Sequence, residues 1–231
     1  FKKFDLKSVK KNKIVKQLVS SGTSGQQPSK IFLDKKNASE QMKVLDRIMS
    51  KVIGKTRLPM IIVDQNPNLS DRTTFNARSA AIFGFSIFGK DHCFLLDKNE
   101  KIDYKLLNIF LKKYTNEKFL IFGFTSIIYE NLIKKISTKL INSNFKNGIL
   151  LHGGGWKKLE NLKINNKVFK NELYKKLGLN KIYNYYGLVE QTGSIFIESE
   201  RCGYLHTSLF SDILVRDKSF RILGNKKKGL I

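Results

Sequence analysis

The run Ser20-Ser21-Gly22-Thr23-Ser24-Gly25-Gln26-Gln27-Pro28-Ser29-Lys30 crowds hydroxyls and small residues between two apolar, β-like runs, Ile14 to Val19 and Ile31 to Leu33. Glycines let a backbone turn where other residues would clash, and they let its N–H groups approach a ligand closely. Serine and threonine hydroxyls add donors of the kind that hold phosphate oxygens. A hairpin loop of this make-up suits the clasp of a nucleotide triphosphate. It is not a Walker loop, because the G-x-x-x-x-G-K-[ST] spacing is missing and no helix pattern follows directly. The same composition also suits an ordinary flexible turn.

Two further runs carry possible chemistry. Gly153-Gly154-Gly155 follows a buried-strand pattern and would present backbone without side chains, against which a flat base can lie. The competing reading is a tight strand-to-loop turn, and His152 beside it could contact a ligand, although a lone histidine beside a strand is more often structural. In Tyr185-Tyr186-Gly187-Leu188-Val189-Glu190-Gln191-Thr192-Gly193, an aromatic beside a glycine can stack on a purine. A carboxylate a few residues later can ligate Mg²⁺ held on phosphates, since magnesium typically takes one or two carboxylates plus phosphate oxygens. An aromatic strand followed by a polar turn would read the same way.

These runs need elements to position them. Asn37 to Gly54 has Met42, Leu45, Ile48, Met49 and Val52 at helical spacing, with Asn37 as cap and Gly54 as stop. Met60 to Val63 reads as a strand ending at Asp64, with a polar loop to Arg72; Ala80 to Phe88 and Phe94 to Leu96 read as strands. Asp103 to Tyr114 reads as a helix capped by Asp103. Strands at Phe119 to Phe122, Gly148 to Leu151 and Ile182 to Asn184 alternate with helices over Ser126 to Leu140 and Val168 to Leu177. That alternation predicts an α/β fold with a mostly parallel sheet. Short runs at Ile195 to Ile197, Ile213 to Val215 and Phe220 to Leu223 predict a smaller antiparallel β region over about 195–231. Ligands of open α/β sheets bind beyond the carboxyl ends of the strands. Gly123 to Thr125, His152 to Trp156 and Tyr185 to Glu190 all fall there.

Composition bounds the rest. At 231 residues and 41% apolar, the chain is globular and has material for a real core. Its net charge of +24 is almost all scattered lysine. Phosphate and base readers favour arginine's planar fork, and the aromatics here sit in apolar runs, so no nucleic-acid partner is expected. The positive field still suits an anionic ligand such as ATP, or an acyl carrier protein. No apolar run reaches the roughly 18–20 residues of a membrane span. Cys93 and Cys202 do not suggest a disulfide framework, so a cytoplasmic setting is expected. Cys202 and His206 alone are too few ligands for a zinc site. The chain opens at Phe1 and stops at Ile231 inside an apparent strand, and is expected to be a fragment.

A resemblance rests on these same residues. Ser20 to Pro28 resembles the [ST]-S-G-[ST]-T-G-x-P phosphate motif of the adenylate-forming superfamily, and Tyr186 to Glu190 its Y-G-x-T-E motif. Leu151 to Lys157, Tyr186 to Ser194 and Gly203-Tyr204-Leu205-His206 resemble the bacterial acyl-protein synthetases, relatives of the phenylacetate–CoA ligases. The likeness runs from about Ser20 to Leu230. One extra residue separates Gly25 from Pro28, and Val189 stands where a threonine is usual.

The resemblance implies ATP-dependent activation of a long-chain fatty acid as acyl-adenylate, then acyl transfer to a thiol. It implies that Ser21, Gly22, Thr23, Ser24 and Gly25 hold the β- and γ-phosphates, with Thr23 the leading hydroxyl contact. Glu190 would hold Mg²⁺, Tyr186 and Gly187 would meet the adenine face, and Gly153, Gly154 and Gly155 the base edge. An acyl-transferase, a reductase or an acyl carrier protein is the implied partner. Residues 1–231 would be part of the large N-terminal domain, without the mobile C-terminal domain, the ribose-binding aspartate or the acylated cysteine. Gly84 and Phe85, in the Ala80 to Phe88 run, are the expected acyl-pocket lining. A CoA ligase of the phenylacetate type and a non-catalytic nucleotide-binding relative remain the alternatives.

Overall fold

The computed structural model describes residues 4–20, 27–67, 77–141, 145–155, 164–188, 191, 193–224 and 227–230. A first hairpin pairs β1 (Ile14–Val19) antiparallel with β2 (Lys30–Asp34). It therefore brackets the Ser20 to Ser29 loop, whose base is closed by Ser20 N donating to Ser29 O at 2.9 Å and Ser29 N donating to Ser20 Oγ at 2.8 Å. The phosphate-loop candidates Ser21 to Gly25 lie outside the described residues.

Helix α1 (Lys35–Ile53) follows at once. Its cap is Asp34 and not Asn37: the Asp34 carboxylate accepts from Asn37 N at 2.8 Å. A carboxylate there satisfies one of the four orphan N–H groups that open any helix. Then come β3 (Leu58–Ile62), α2 (Ala77–Ser86), β4 (Gly89–Phe94), α3 (Tyr104–Lys113), β5 (Phe119–Phe124), the short α4 (Thr125–Ile128) and β6 (Gly148–Gly153). Finally α5 (Asn166–Leu177), capped by the Asn165 side chain, leads to β7 (Lys181–Tyr186), β8 (Phe196–Glu198) and β9 (Leu205–His206).

One seven-stranded sheet holds β4-β3-β5-β6-β7-β8-β9 in that order, parallel from β4 to β7. The expected α/β architecture with a mostly parallel sheet is present. β8 and β9 extend this sheet antiparallel, and beyond them the predicted strands at Ile213 to Val215 and Phe220 to Leu223 reduce to isolated bridges of Arg216 with Ile222 and Leu230. Helices cover both faces, which is why β3, β5 and β6 are nearly continuous apolar runs. On one face Ile61, Ile121 and Leu150 meet Leu107, Phe110 and Leu111 of α3 and Phe169 and Leu173 of α5. On the other Met60, Ile62, Leu120, Phe122, Ile149 and Leu151 meet Ile48, Met49 and Ile53 of α1 and Ile82 and Phe85 of α2.

Two further expectations fail. Ala80 to Phe88 is no strand: through Ser86 it is α2, with Ile82 and Phe85 buried three residues apart, and Gly89 opens the strand instead. An apolar run this short fits either period, and the helix wins by packing Phe85 onto Phe122 (ring centroids 4.7 Å, 23°). Ser126 to Leu140 is not one helix. After α4 the chain widens into a π-helical turn over Tyr129–Lys135 and breaks at Ile136, whose N–H bonds Asn131 O at 2.8 Å. There Asn131 Nδ2 takes the Ile127 carbonyl at 2.9 Å, a side-chain bond competing with the regular ladder. Ser137 N donates to the Tyr104 hydroxyl at 2.8 Å, which holds the broken end.

Candidate nucleotide site at the carboxyl edge of the sheet

Because β3, β5, β6 and β7 are parallel, their carboxyl ends share one edge. At β3 this edge carries Asp64, 4% exposed, which accepts two 2.7 Å bonds from Arg78 and so ties α2 to the strand end. At β5 and β6 it carries Thr125 and His152 to Gly155; at β7 it carries Tyr186 to Leu188.

The register sets the ends of β5, β6 and β7 side by side. Gly153 is the Cα partner of Phe124 on one flank and of Tyr185 on the other. A Cβ at Gly153 would lie 2.5 Å from Cε1 of Tyr185, so glycine is required by close approach of an aromatic ring. Gly154 has φ +79°, a left-handed turn that only glycine adopts freely, and Gly154 and Gly155 are both exposed. Tyr186, at 48% exposure, keeps much of its ring open, with Phe196 at 6.2 Å on its inner side. Gly187 is exposed and abuts Ile195, whose Cγ2 would lie 3.2 Å from an added Cβ. Gly153, Gly154, Gly155, Tyr186 and Gly187 thus share the expected edge. The Mg²⁺ candidate Glu190 lies outside the described residues, as does Trp156.

Beneath this edge is an aromatic layer. Tyr185 packs 4.8 Å from Phe85 and 6.2 Å from Phe122, the latter at 26°. Phe85, expected to line an acyl pocket, is buried in that layer at 6% exposure; a Cβ at Gly84 would meet nothing within 4 Å.

Buried polar groups organise the edge: of the two readings of His152 open in sequence the structural one holds, and Glu198 has no signature there. His152 is 1% exposed, packs its ring 4.8 Å from Phe169, and sits 2.9 Å through Nδ1 from Thr125 Oγ1. Burial, with the Lys170 charge adding to it, pushes the His152 imidazole down to about 3, so it is neutral. Glu198 of β8, 4% exposed, accepts from Lys170 Nζ (2.6 Å), Asn166 Nδ2 (2.7 Å) and Asn184 N (3.1 Å), joining α5, β7 and β8.

The neutral histidine carries a pH consequence. Its folded value lies below the ordinary 6.5, so the unfolded chain binds the extra proton and stability falls as pH drops from about 6.5 toward 3. Between pH 7 and pH 5 this one group is expected to cost about 2 kcal/mol. Urea unfolding at both pH values, for wild type and His152→Asn, checks it. The variant should lose less stability between the two pH values than wild type does, and an equal loss in both would refute the assignment.

The cysteines differ. Burial pushes the Cys93 thiol up to about 12. Exposed Cys202 has its Sγ 3.0 Å from Nε2 of His206, and hydrogen bonds from the Tyr204 backbone and from His206 hold its pKa below the usual thiol range. Among the described residues no group of three or more His, Cys, Asp or Glu side chains is arranged for a metal ion, and no helix is long and apolar enough to cross a membrane.

The model of the family described as acyl-protein synthetase, LuxE, matches residues 1–231. No curated protein matches the chain in sequence. Among solved structures, the amide bond synthetase McbA from Marinactinospora thermotolerans superimposes with a TM-score of 0.59 at 14% identity, covering 95% of this chain and 40% of that one. ATP-bound MatB from Rhodopseudomonas palustris gives 0.50 at 13% identity, over 92% and 38%. PA1221, a non-ribosomal peptide synthetase (NRPS) protein containing adenylation and PCP domains, gives 0.51 at 13% identity, over 93% and 34%. The chain therefore spans well under half the length of these structures, and at such identities the likeness is one of fold.

Proposed function

The chain belongs to the acyl-protein synthetase family, LuxE, and from that premise we propose that it forms part of an enzyme that activates a fatty acid with ATP and passes the acyl group to a thiol. The supporting observation is the edge itself: Gly153 to Gly155 and Tyr186-Gly187 lie at and just past the carboxyl ends of the adjacent strands β6 and β7, where α/β sheets receive ligands. In this reading Tyr186 stacks on adenine and the glycine turn receives its edge. Ser21 to Gly25, in the connection between β1 and β2, would hold the β- and γ-phosphates, with Thr23 giving the leading hydroxyl. The fatty carboxylate attacks the α-phosphorus, the bond to the bridging oxygen breaks, and pyrophosphate leaves. A thiolate then attacks the acyl carbonyl and AMP leaves.

The chain's task in the first step is to position the reactants and neutralise charge. A single carboxylate is a donor set that suits Mg²⁺ shared with phosphate oxygens, and Glu190 would hold that ion, which supplies charge neutralisation. Residues 1–231 would serve as part of the large N-terminal domain, 195–231 as its smaller β region, with a further C-terminal domain completing the site in a cytoplasmic setting. An acyl-transferase, reductase or acyl carrier protein is the fitting partner; the PCP domain of PA1221 is a feature of that protein and an analogy for this one.

The test is acid-dependent ATP–pyrophosphate exchange by the full-length protein across a panel of fatty and aromatic acids. Exchange with fatty acids is expected, falling about 100-fold or more in Glu190→Gln as transition-state charge loses its counter-ion. Failure to exchange with any acid would overturn the enzymatic reading. Labelled acid appearing on polypeptide, and not on added CoA, is the expected second step; acyl-CoA as sole product would move the protein to the CoA-ligase class.

A further inference from the structure

Glycine is the residue least able to hold its own backbone in place, so a turn of Gly153-Gly154-Gly155 needs an external anchor if it is to receive a ligand in one geometry. The structure supplies one. Thr125 is the first residue of α4, yet that helix has Phe124 as its cap residue and no side-chain cap bond. The Thr125 hydroxyl is turned across to the neighbouring strand, where it donates to the Gly153 carbonyl at 3.1 Å. A hydroxyl has a single proton. With that proton on Gly153 O, the 2.9 Å contact of Thr125 Oγ1 with His152 Nδ1 is a hydrogen bond only if Nδ1 carries the imidazole proton and donates it. His152 Nε2 has no partner among the described residues, and packing on Phe169 fixes the ring.

The peptide plane transmits this anchor. The Gly153 carbonyl and the Gly154 N–H belong to one planar unit, so fixing the oxygen fixes the direction of that N–H. The turn at Gly154, φ +79°, then starts from a set orientation. Thr125 and His152 are both buried, at 4% and 1%, so water does not compete for these bonds.

We propose that His152 and Thr125 are positioning residues: imidazole Nδ1–H orients the Thr125 hydroxyl onto the Gly153 carbonyl, and this relay holds the Gly153–Gly155 turn in the geometry that receives the nucleotide base. The last clause rests on the function proposed above; the relay itself does not.

The experiment uses the full chain as wild type, Thr125→Ser and Thr125→Val. Three quantities are read: the His152 tautomer by ¹⁵N NMR, hydrogen exchange at the Gly154 and Gly155 amides, and MgATP affinity. Wild-type His152 should show the Nδ1–H tautomer, the opposite of the form a free imidazole side chain favours. Thr125→Val should speed exchange at both amides and weaken MgATP binding, each about tenfold, the factor equivalent to one net hydrogen bond. Thr125→Ser should restore both, which packing alone would not predict. An Nε2–H tautomer in wild type overturns the proposal without any variant having to fold. Unchanged exchange in Thr125→Val, or exchange in Thr125→Ser as fast as in Thr125→Val, overturns it too. Wild-type protein that binds no MgATP would instead refute the proposed function, and the exchange comparison would still decide the relay.

Discussion

Replacing Glu198 with alanine is expected to destabilise the fold by about 3 kcal/mol, the lower end of what breaking a buried ion pair from one side costs. The carboxylate is 3% exposed and Lys170, its partner at 2.6 Å, 28%. Alanine would leave the ammonium, the Asn166 amide and the Asn184 N–H without the acceptor they share. Lys170 keeps some access to water, which is why the upper end of the range is not expected. The loss should be cooperative, because the three donors come from α5 and β7 while the acceptor sits on β8. It should also reach function, since the 187–195 connection, with Glu190 in it, runs from β7 to β8. Chemical denaturation of the wild type and of Glu198→Ala at pH 7 checks this. A loss under about 1 kcal/mol would mean the network is no stronger than an exposed pair.

Gly153→Ala should cost about 2–3 kcal/mol by overpacking, and more in nucleotide affinity than its small size suggests. The new methyl would sit 2.5–2.8 Å from three carbons of the Tyr185 ring. That ring has little room to give: Phe85 lies 4.8 Å away and Phe122 stacks beyond it at 6.2 Å. Relief must come either from pushing the aromatic layer into α2 or from lifting the glycine turn, and the second displaces the surface offered to a base. The diagnostic measurement is a double-mutant cycle with Tyr185→Ala. Removing the ring should make Gly153→Ala nearly free, giving strong non-additivity in urea midpoints. Additive losses would place the strain elsewhere.

The amount legible in sequence differs from element to element, for physical reasons. Asp103 and Gly54 punctuate their helices as expected because capping is local: the Asp103 carboxylate accepts from Leu106 N at 2.9 Å, and Gly54 ends α1 at φ +87°. Asn37 does not cap its helix because Asp34, three residues earlier, takes that role with a charged acceptor. Ala80 to Phe88 departs further from its local pattern. Its apolar residues satisfy a strand as well as a helix, and the decision came from Phe122, distant in sequence but stacked against Phe85. The runs at Ile213 to Val215 and Phe220 to Leu223 do not build strands because a ladder needs a partner in register, and among the described residues they reach only the isolated bridge of Ile222 with Arg216.

For the candidate site the division is similar. Composition and local order determined the parallel α/β plan, the glycine turn after β6, the aromatic-glycine pair after β7, and the hairpin around Ser20 to Ser29. Each depends on what a few neighbouring residues can do with their own backbone. Tertiary structure alone decided which of these stand together and what holds them: the register of Gly153 with Tyr185, the Thr125–His152 relay, and the Glu198 carboxylate shared by α5, β7 and β8. Those contacts join residues 14 to 32 positions apart along the chain. Their energies depend on burial that no local spacing encodes. A serine-, glycine- and threonine-rich loop can be written in a sequence, but the direction in which a peptide N–H points is set only when the strands beside it have packed.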